Sequence, residues 1–199
     1  NNTDKEIAAY YRIINEYKGS YYVYKDIMRQ ALIYYNDKSD DKALAKFKKV
    51  VADFPNTPEA MEAVTTARLI YVDSGRTDEY AAWVKTLDFV DVSDADLDNT
   101  AFEAAEKQYL QNNTKQAISS LTSYVSKFPN GISSLKANFY LAQSYYAEGL
   151  ETNAIPHYEF VASKARSEFS EQALARLSQV YLKKNDYAKA VPVLKRLEA

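Results

Sequence analysis

The stretch LAQSYYAEGLETNAIPHYEFV, residues 141–161, decides the fold. Gly149 divides it into two halves, and each half repeats apolar residues at helical spacing. In the second half Tyr158 follows Ala154 by four residues, which places both side chains on one face of an α-helix. Gly149 lies four residues after Tyr145 and suits the left-handed conformation that ends many helices. The stretch therefore predicts a helix, a tight turn and a second helix.

The second half of this stretch recurs along the chain about every 37 residues, in segments that begin at residues 6, 43, 80, 117, 154 and 190. The fifth residue of each segment is large and apolar, as in Tyr10, Phe47, Val84, Leu121, Tyr158 and Leu194. The eighth residue is also large and apolar, as in Ile13, Val50, Leu87, Tyr124, Val161 and Leu197. A fixed period of paired helices indicates a solenoid, because each unit must bury its apolar face against its neighbours.

A second column of residues marks the turn inside each unit. It contains Lys38, Gly75, Asn112, Gly149 and Asn185. Gly and Asn tolerate positive φ better than other residues, so the column predicts a left-handed residue after the first helix of every unit.

The tripeptide Phe-Pro-Asn occurs at residues 54–56 and again at 128–130, which is two periods apart. Pro lacks a backbone N–H and clashes with the preceding helical turn, so both copies should end a second helix. The unit between them ends in DFVDVSDAD, without a Pro, and there Ser93 or Asp94 should cap the following helix.

These patterns predict an all-α, right-handed α-solenoid in which about eleven helices form helix-turn-helix units. The expected helices are 4–18, 21–37, 40–53, 57–74, 77–91, 94–112, 114–128, 132–148, 151–166, 168–184 and 187–198. We expect a single array over residues 1–199, with a leading helix at 4–18 and units at 21–56, 57–93, 94–130, 131–167 and 168–199.

Composition limits the possible partners and chemistry. The net charge is −2 and no basic stripe occurs, so nucleic acid is not the expected partner. No apolar run approaches the ~20 residues of a membrane span. The chain has no Cys, and its single His157 cannot form a Cys–His pair or a His-rich metal site.

The acidic clusters of the chain are interpreted as structural. Asp37, Asp40 and Asp41 form one cluster; Asp91, Asp94, Asp96 and Asp98 form the other. Such clusters can bind Ca²⁺, but these lack the order of an EF-hand loop, whereas Asp is common at helix N-termini. The chain also has no Gly-rich phosphate loop and no nucleophile elbow. We therefore expect no catalytic residue, no metal, no cofactor and no enzymatic activity.

Residues 141–161, together with ALAKFKKVVADFPNTPEA at 43–60, resemble the tetratricopeptide repeat family. The resemblance implies a non-catalytic scaffold that binds a protein or peptide. Arg68 and Gln108 depart from the small-residue and Tyr columns, and the period is longer than the common 34 residues. The long unit with Phe-Pro-Asn resembles bacterial envelope members, namely the Tol-Pal accessory protein and the outer-membrane assembly lipoprotein.

The envelope resemblance implies a periplasmic or outer-membrane location. Residue 1 is Asn, and a helical pattern continues to the end of the sequence, so we interpret the chain as part of a longer protein whose signal or lipid anchor lies outside it.

The first helix of each unit lines the concave groove in this family. We expect a partner to contact Met28, Tyr35, Phe102, Tyr109, Lys136, Phe139, Gln143 and Tyr146. The alternative is that these rings only pack between neighbouring first helices. A second functional hypothesis is an architectural segment that spaces other modules or self-associates through the ends of the solenoid.

Overall fold

A computed structural model of the chain describes residues 2–16 and 23–198. The described residues form eleven α-helices and no strands. The helices are α1 Asn2–Glu16, α2 Val23–Asn36, α3 Asp40–Asp53, α4 Pro58–Asp73, α5 Thr77–Val84, α6 Asp94–Leu110, α7 Thr114–Lys127, α8 Ser134–Ala147, α9 Glu151–Ala162, α10 Glu168–Lys183 and α11 Tyr187–Glu198. This result confirms the all-α class and the eleven predicted helices. The expected helical residues 17–18 and 21–22, and the side chain of Ile13, lie outside the described part.

The chain forms two compact units, which are residues Asn1–Val92 and Ser93–Ala199. Within each unit, helices that follow one another in sequence pack against each other. In the second unit the first helices of successive pairs are also in contact, α6 with α8 and α8 with α10. The single array expected over residues 1–199 stays a prediction.

The left-handed turn column is confirmed at all five positions. The φ values are 57° at Lys38, 70° at Gly75, 58° at Asn112, 73° at Gly149 and 57° at Asn185. In each turn the next residue donates its N–H to the carbonyl of the helical residue five positions earlier, as Leu150 does to Tyr145 at 2.8 Å. This bond is the mark of a Schellman motif and satisfies a carbonyl that the helix end leaves free.

Four of the described helices begin with a side-chain cap, and at the last of them Asp186 accepts the N–H of Lys189 in α11 at 3.2 Å. Ser93 forms a capping box with Asp96 at the start of α6, which confirms Ser93 as one of the two candidate caps. Thr57 caps α4 and Ser167 caps α10. Each cap satisfies a backbone N–H that has no partner within the helix.

The predicted helix 77–91 is too long, because α5 ends at Val84. After Val84 the backbone forms short three-residue turns, in which Thr86 donates to Trp83 and Leu87 to Val84. The sequence that follows is rich in Asp and Val, residues with weak helix propensity. The helix therefore ends at Val84 although no Pro follows it.

Two apolar clusters form the core of the second unit. The first surrounds Leu121, Tyr124 and Leu141, and the second surrounds Tyr158 and Leu177. Leu121, Tyr124 and Tyr158 come from the two columns that gave the period, so the sequence pattern and the core coincide.

Candidate partner-binding surface

The structure divides the eight expected groove residues into two sets. Met28, Phe102 and Phe139 are buried, with exposed fractions of 6%, 7% and 4%. The ring centroid of Phe139 on α8 lies 5.1 Å from that of Phe169 on α10. We expected these three side chains to face a partner, but they occupy the core. The alternative, in which rings pack between neighbouring first helices, holds for Phe139 and also for the Tyr109 ring, which packs on Tyr140 of α8.

The other expected groove residues of the second unit lie around Tyr140, a residue that the sequence pattern did not single out. The rings of Tyr109 on α6 and Tyr140 on α8 are stacked, with centroids 4.0 Å apart and planes at 13°. Both side chains are half-buried. Burial, with a smaller contribution from Tyr140, raises the pKa of the Tyr109 hydroxyl, so the phenol stays neutral at physiological pH.

An ion pair joins the same two helices beside this stack. Nζ of Lys136 on α8 lies 2.6 Å from Oε1 of Glu106 on α6. The hydrogen bond to Glu106 raises the pKa of Lys136. Nζ also lies 5.4 Å from the ring centroid of Tyr140, within the range of a cation–π interaction. Lys136 is thus a fixed cation at the edge of an aromatic surface.

Gln143 and Tyr146 continue the surface toward the end of α8. Gln143 accepts a hydrogen bond from the hydroxyl of Tyr158 at 3.1 Å, which orients its amide. The guanidinium of Arg176 on α10 lies 4.9 Å from the ring centroid of Tyr146. Side chains of α8 therefore contact both α6 and α10.

We call this area the first-helix surface, because α6, α8 and α10 are the first helices of their pairs. It consists of Glu106, Tyr109, Lys136, Tyr140, Gln143, Tyr146 and Arg176.

A cleft of about 320 Å³ opens at one edge of the first-helix surface. Tyr109 and Gln143 line it, together with the exposed Leu110 and the small residues Ser144 and Ala147. The cleft combines apolar walls with a few polar groups, a composition that suits a side chain of a bound peptide.

Tyr35 is the expected groove residue of the first unit that remains partly accessible. Its ring lies 5.7 Å from Nζ of Lys38 and is half-buried. Its neighbour Met28 is buried, so the first unit keeps one of its two expected contact residues at the surface.

The helical period is enough to identify Tyr140 as a member of this surface. Tyr140 follows Lys136 by four residues and precedes Gln143 by three, so the three share a helix face. Glu106 and Arg176 are harder to find, because their roles depend on which helix packs beside α8.

His157 and one Asp of each acidic cluster have structural contacts. His157 Nδ1 lies 2.8 Å from Oδ1 of the buried Asn138, and burial lowers the pKa of the imidazole. Asp41 pairs with Arg76 at 2.7 Å. Asp98 is 5% exposed and accepts a hydrogen bond from the N–H of Ile132 at 2.8 Å.

Within residues 2–16 and 23–198, no three His, Asp or Glu side chains are arranged to hold a metal ion. None of the described helices has the length and apolar character that crossing a bilayer requires.

Comparison with known families supports the repeat assignment. Residues 27–57 and 102–131 match the tetratricopeptide repeat family model, just under a third of the chain. Each matched segment ends one residue after a Phe-Pro-Asn tripeptide. Residues 141–161 lie outside both matches. No curated protein matches the chain significantly.

Several solved structures are similar to this chain. MamA is 20% identical, with 82% of this chain and 90% of MamA covered and a TM-score of 0.43. BtubC from P. vanneervenii is 14% identical, with 100% and 90% covered and a TM-score of 0.44. A tetratricopeptide repeat protein from Parabacteroides merdae is 13% identical, with 99% and 72% covered and a TM-score of 0.38. These identities and scores are too low to carry an argument about function.

Proposed function

We propose that the chain is a non-catalytic scaffold that binds a protein or peptide partner through the first-helix surface. The observation that carries this proposal is that aromatic and charged side chains of α8 contact both neighbouring first helices, α6 through the Tyr109–Tyr140 stack and the Lys136–Glu106 pair, and α10 through Tyr146 and Arg176. Tyr and Arg dominate the energetics of many protein interfaces, because they combine a large apolar area with hydrogen-bonding capacity. The side chains are held by one another, so a partner would immobilise few of them on binding.

The finer part of the proposal is that the partner belongs to a bacterial cell-envelope assembly. It is supported by the 37-residue period and the repeated Phe-Pro-Asn closure, which resemble envelope members of the repeat family. A periplasmic or outer-membrane location follows from the same resemblance.

The proposal is tested by capture from a bacterial envelope extract with the 199-residue chain as bait. The test variant is Lys136→Ala/Tyr146→Ala, which spares the buried Phe139. The control is Met61→Ala, because Met61 is 43% exposed on α4 and lies outside the first-helix surface. A protein captured by wild type and control, but bound at least tenfold more weakly by the double variant when purified, supports the proposal. Equal binding by all three baits contradicts it.

A second candidate function is self-association. Exposed apolar side chains lie on the last two helices, with Leu182 at 42%, Tyr187 at 60% and Val191 at 48%. Sedimentation equilibrium should then detect a dimer that Val191→Lys dissociates. A monomer at 100 µM would contradict this function.

A further inference from the structure

A cleft at the end of the second unit has a different chemical character from the first-helix surface. Its volume is about 340 Å³, and it lies between the end of α9, the start of α10 and the end of α11. Its lining residues are Lys164, Arg166, Ser170, Glu171, Leu174, Arg196 and Leu197. Three of these are cations and one is an anion.

The surrounding sequence carries the same excess of positive charge. Residues 164–198 contain eight Lys and Arg against four Asp and Glu, whereas the whole chain has a net charge of −2. The lining itself, with three cations and one anion, is positive in a chain whose net charge is −2, and an anionic ligand would be attracted to it.

Arg196 is positioned by a neutral partner. Its Nη2 donates a hydrogen bond to the backbone carbonyl of Ala162, the last residue of α9. A carbonyl orients the guanidinium without neutralising it, and four further N–H donors remain on the group. Among the described residues, no carboxylate lies within ion-pair distance of Arg196 or Lys164.

Arg166 differs from these two, because its Nε lies 2.7 Å from Oε1 of Glu171. This pair is mostly exposed, with side-chain fractions of 69% and 49%, so it contributes little to stability. It leaves both terminal nitrogens of Arg166 available to a ligand.

Leu174 and Leu197 supply the apolar part of the cleft. Leu174 is 6% exposed and Leu197 is 36% exposed. A free inorganic anion would gain nothing from these side chains, whereas a peptide with an acidic residue beside an apolar one would use both parts of the cleft.

We propose that this cleft binds an acidic peptide segment, with a Glu or Asp carboxylate between Arg196 and Lys164 and a neighbouring apolar side chain against Leu174 and Leu197. Guanidinium and carboxylate match in geometry, and a charge-assisted hydrogen bond is stronger than a neutral one. The site is separate from the first-helix surface and does not depend on the proposed function.

The test uses the 199-residue chain and a short acetylated, amidated peptide of alternating Glu and Leu, measured by isothermal titration calorimetry. Matched peptides replace Glu with Gln or with Lys. The Glu peptide should bind, and the Gln and Lys peptides should bind at least tenfold more weakly. Raising the NaCl concentration from 50 to 300 mM should weaken binding, because part of the attraction is between exposed charges.

Variants locate the binding site. Arg196→Gln should weaken binding about tenfold, the equivalent of ~1.4 kcal/mol. Lys164→Gln should weaken it less, and it removes no hydrogen bond that holds α9 to α11. The control Lys189→Gln makes the same charge change on α11, outside the cleft, and should change the affinity less than twofold. Circular dichroism checks that every variant keeps its helicity.

Three results would overturn the proposal. The Gln peptide could bind as tightly as the Glu peptide, or Lys189→Gln could weaken binding as much as Lys164→Gln. Inorganic phosphate alone could bind while the Glu peptide does not, which would assign the cleft to a phosphate group. If the Glu peptide binds in the cleft, its titration should change ¹⁵N amide chemical shifts, measured by NMR, only within residues 162–174 and 194–198.

Discussion

The two Phe-Pro-Asn tripeptides begin in the same way and then diverge. Phe54 and Phe128 both follow the last residue of a helix, and each donates its N–H to the carbonyl four residues earlier, at 2.9 Å and 2.8 Å. After the Pro, Asn56 adopts a φ of 62°, whereas Asn130 does not enter the left-handed region. One tripeptide therefore leads into two different turns.

The residue after each tripeptide accounts for the divergence. In the first turn Thr57 donates its hydroxyl to the carbonyl of Phe54 at 2.7 Å and accepts the N–H of Ala60 at 3.1 Å. Its side chain thus closes one helix and opens the next, so the turn is held by local contacts.

The second turn is held by a residue from another helix. Gly131 takes the place of the Thr, and Asp98 of α6 reaches the turn across 34 residues to accept the N–H of Ile132. The hydroxyl of Tyr124 also donates to Asp98. Burial and this hydrogen bond raise the pKa of Tyr124, so the phenol remains a donor. The comparison shows that a repeated motif can have equivalent ends but different stabilising contacts.

The largest expected effect comes from Asp98→Ala in the second turn. The change leaves the Tyr124 hydroxyl, on a buried side chain, without its acceptor, and it also removes the acceptor of the N–H of the exposed Ile132. We expect a loss of about 3 kcal/mol, at the upper end of the ~1–3 kcal/mol that an unsatisfied buried group costs. Urea denaturation followed by circular dichroism measures it. Asp91→Ala removes an exposed carboxylate and is the control. Equal stability of the two variants would show that the long-range contact is unimportant.

Gly131→Ala should have the next largest effect. A Cβ at this position would lie 2.5 Å from Oδ2 of Asp98, 2.7 Å from the Tyr124 hydroxyl and 2.9 Å from Cβ of Phe128. We expect a loss of about 2 kcal/mol, in the range of ~1–3 kcal/mol for overpacked sites. The double variant Gly131→Ala/Asp98→Ala should lose less than the sum of the single changes, because the shortest of the three close contacts, that with Oδ2 of Asp98, is removed together with the carboxylate. Additive losses would contradict this explanation.

Thr57→Ala tests the local closure of the first turn. It removes the cap of α4 and should cost about 1 kcal/mol, the usual value for an N-cap residue. The matched control is Ser39→Ala, because Ser39 precedes α3 without a side-chain cap bond. A loss at Ser39 as large as that at Thr57 would show that the cap bond does not stabilise the first turn.

The smallest predicted difference separates the two Asn residues. Asn56→Ala should cost about 0.5–1 kcal/mol, because left-handed backbone costs ordinary residues ~1–2 kcal/mol and Asn visits it more readily. Asn130→Ala should leave the free energy of unfolding nearly unchanged, since its φ is not left-handed. The midpoint of urea unfolding gives both values under identical conditions, and equal shifts would mean that the backbone difference has no energetic weight.

The sequence predicted most of the helices, because apolar periodicity and turn residues act locally. The left-handed column from Lys38 to Asn185 is correct at every position, and so is Ser93 as a cap. The length of α5 was overestimated, because the sequence after Val84 has no Pro to mark the end of the helix. There the stop comes from weak propensity, which is a less definite signal than Pro.

The candidate surface was predicted less well. Period and residue type place Phe102 and Tyr109 on the same helix face, seven residues apart, yet the structure buries the first and leaves the second half-exposed. The difference depends on which neighbouring helix covers which turn, and residue spacing contains no information about that packing. For the same reason Tyr140, Glu106 and Arg176 were missed.

The sequence by itself determined the helical class, the period, the turn positions and the apolar columns of the core. These features depend on backbone sterics and on residue spacing along one helix, and both follow directly from the order of residues in the sequence. Only the tertiary structure decided which aromatic side chains are buried, how Asp98 reaches the second turn and how Lys164, Arg166 and Arg196 meet at one cleft. Those arrangements join residues from different helices, and their distances are set by side-chain packing between the helices.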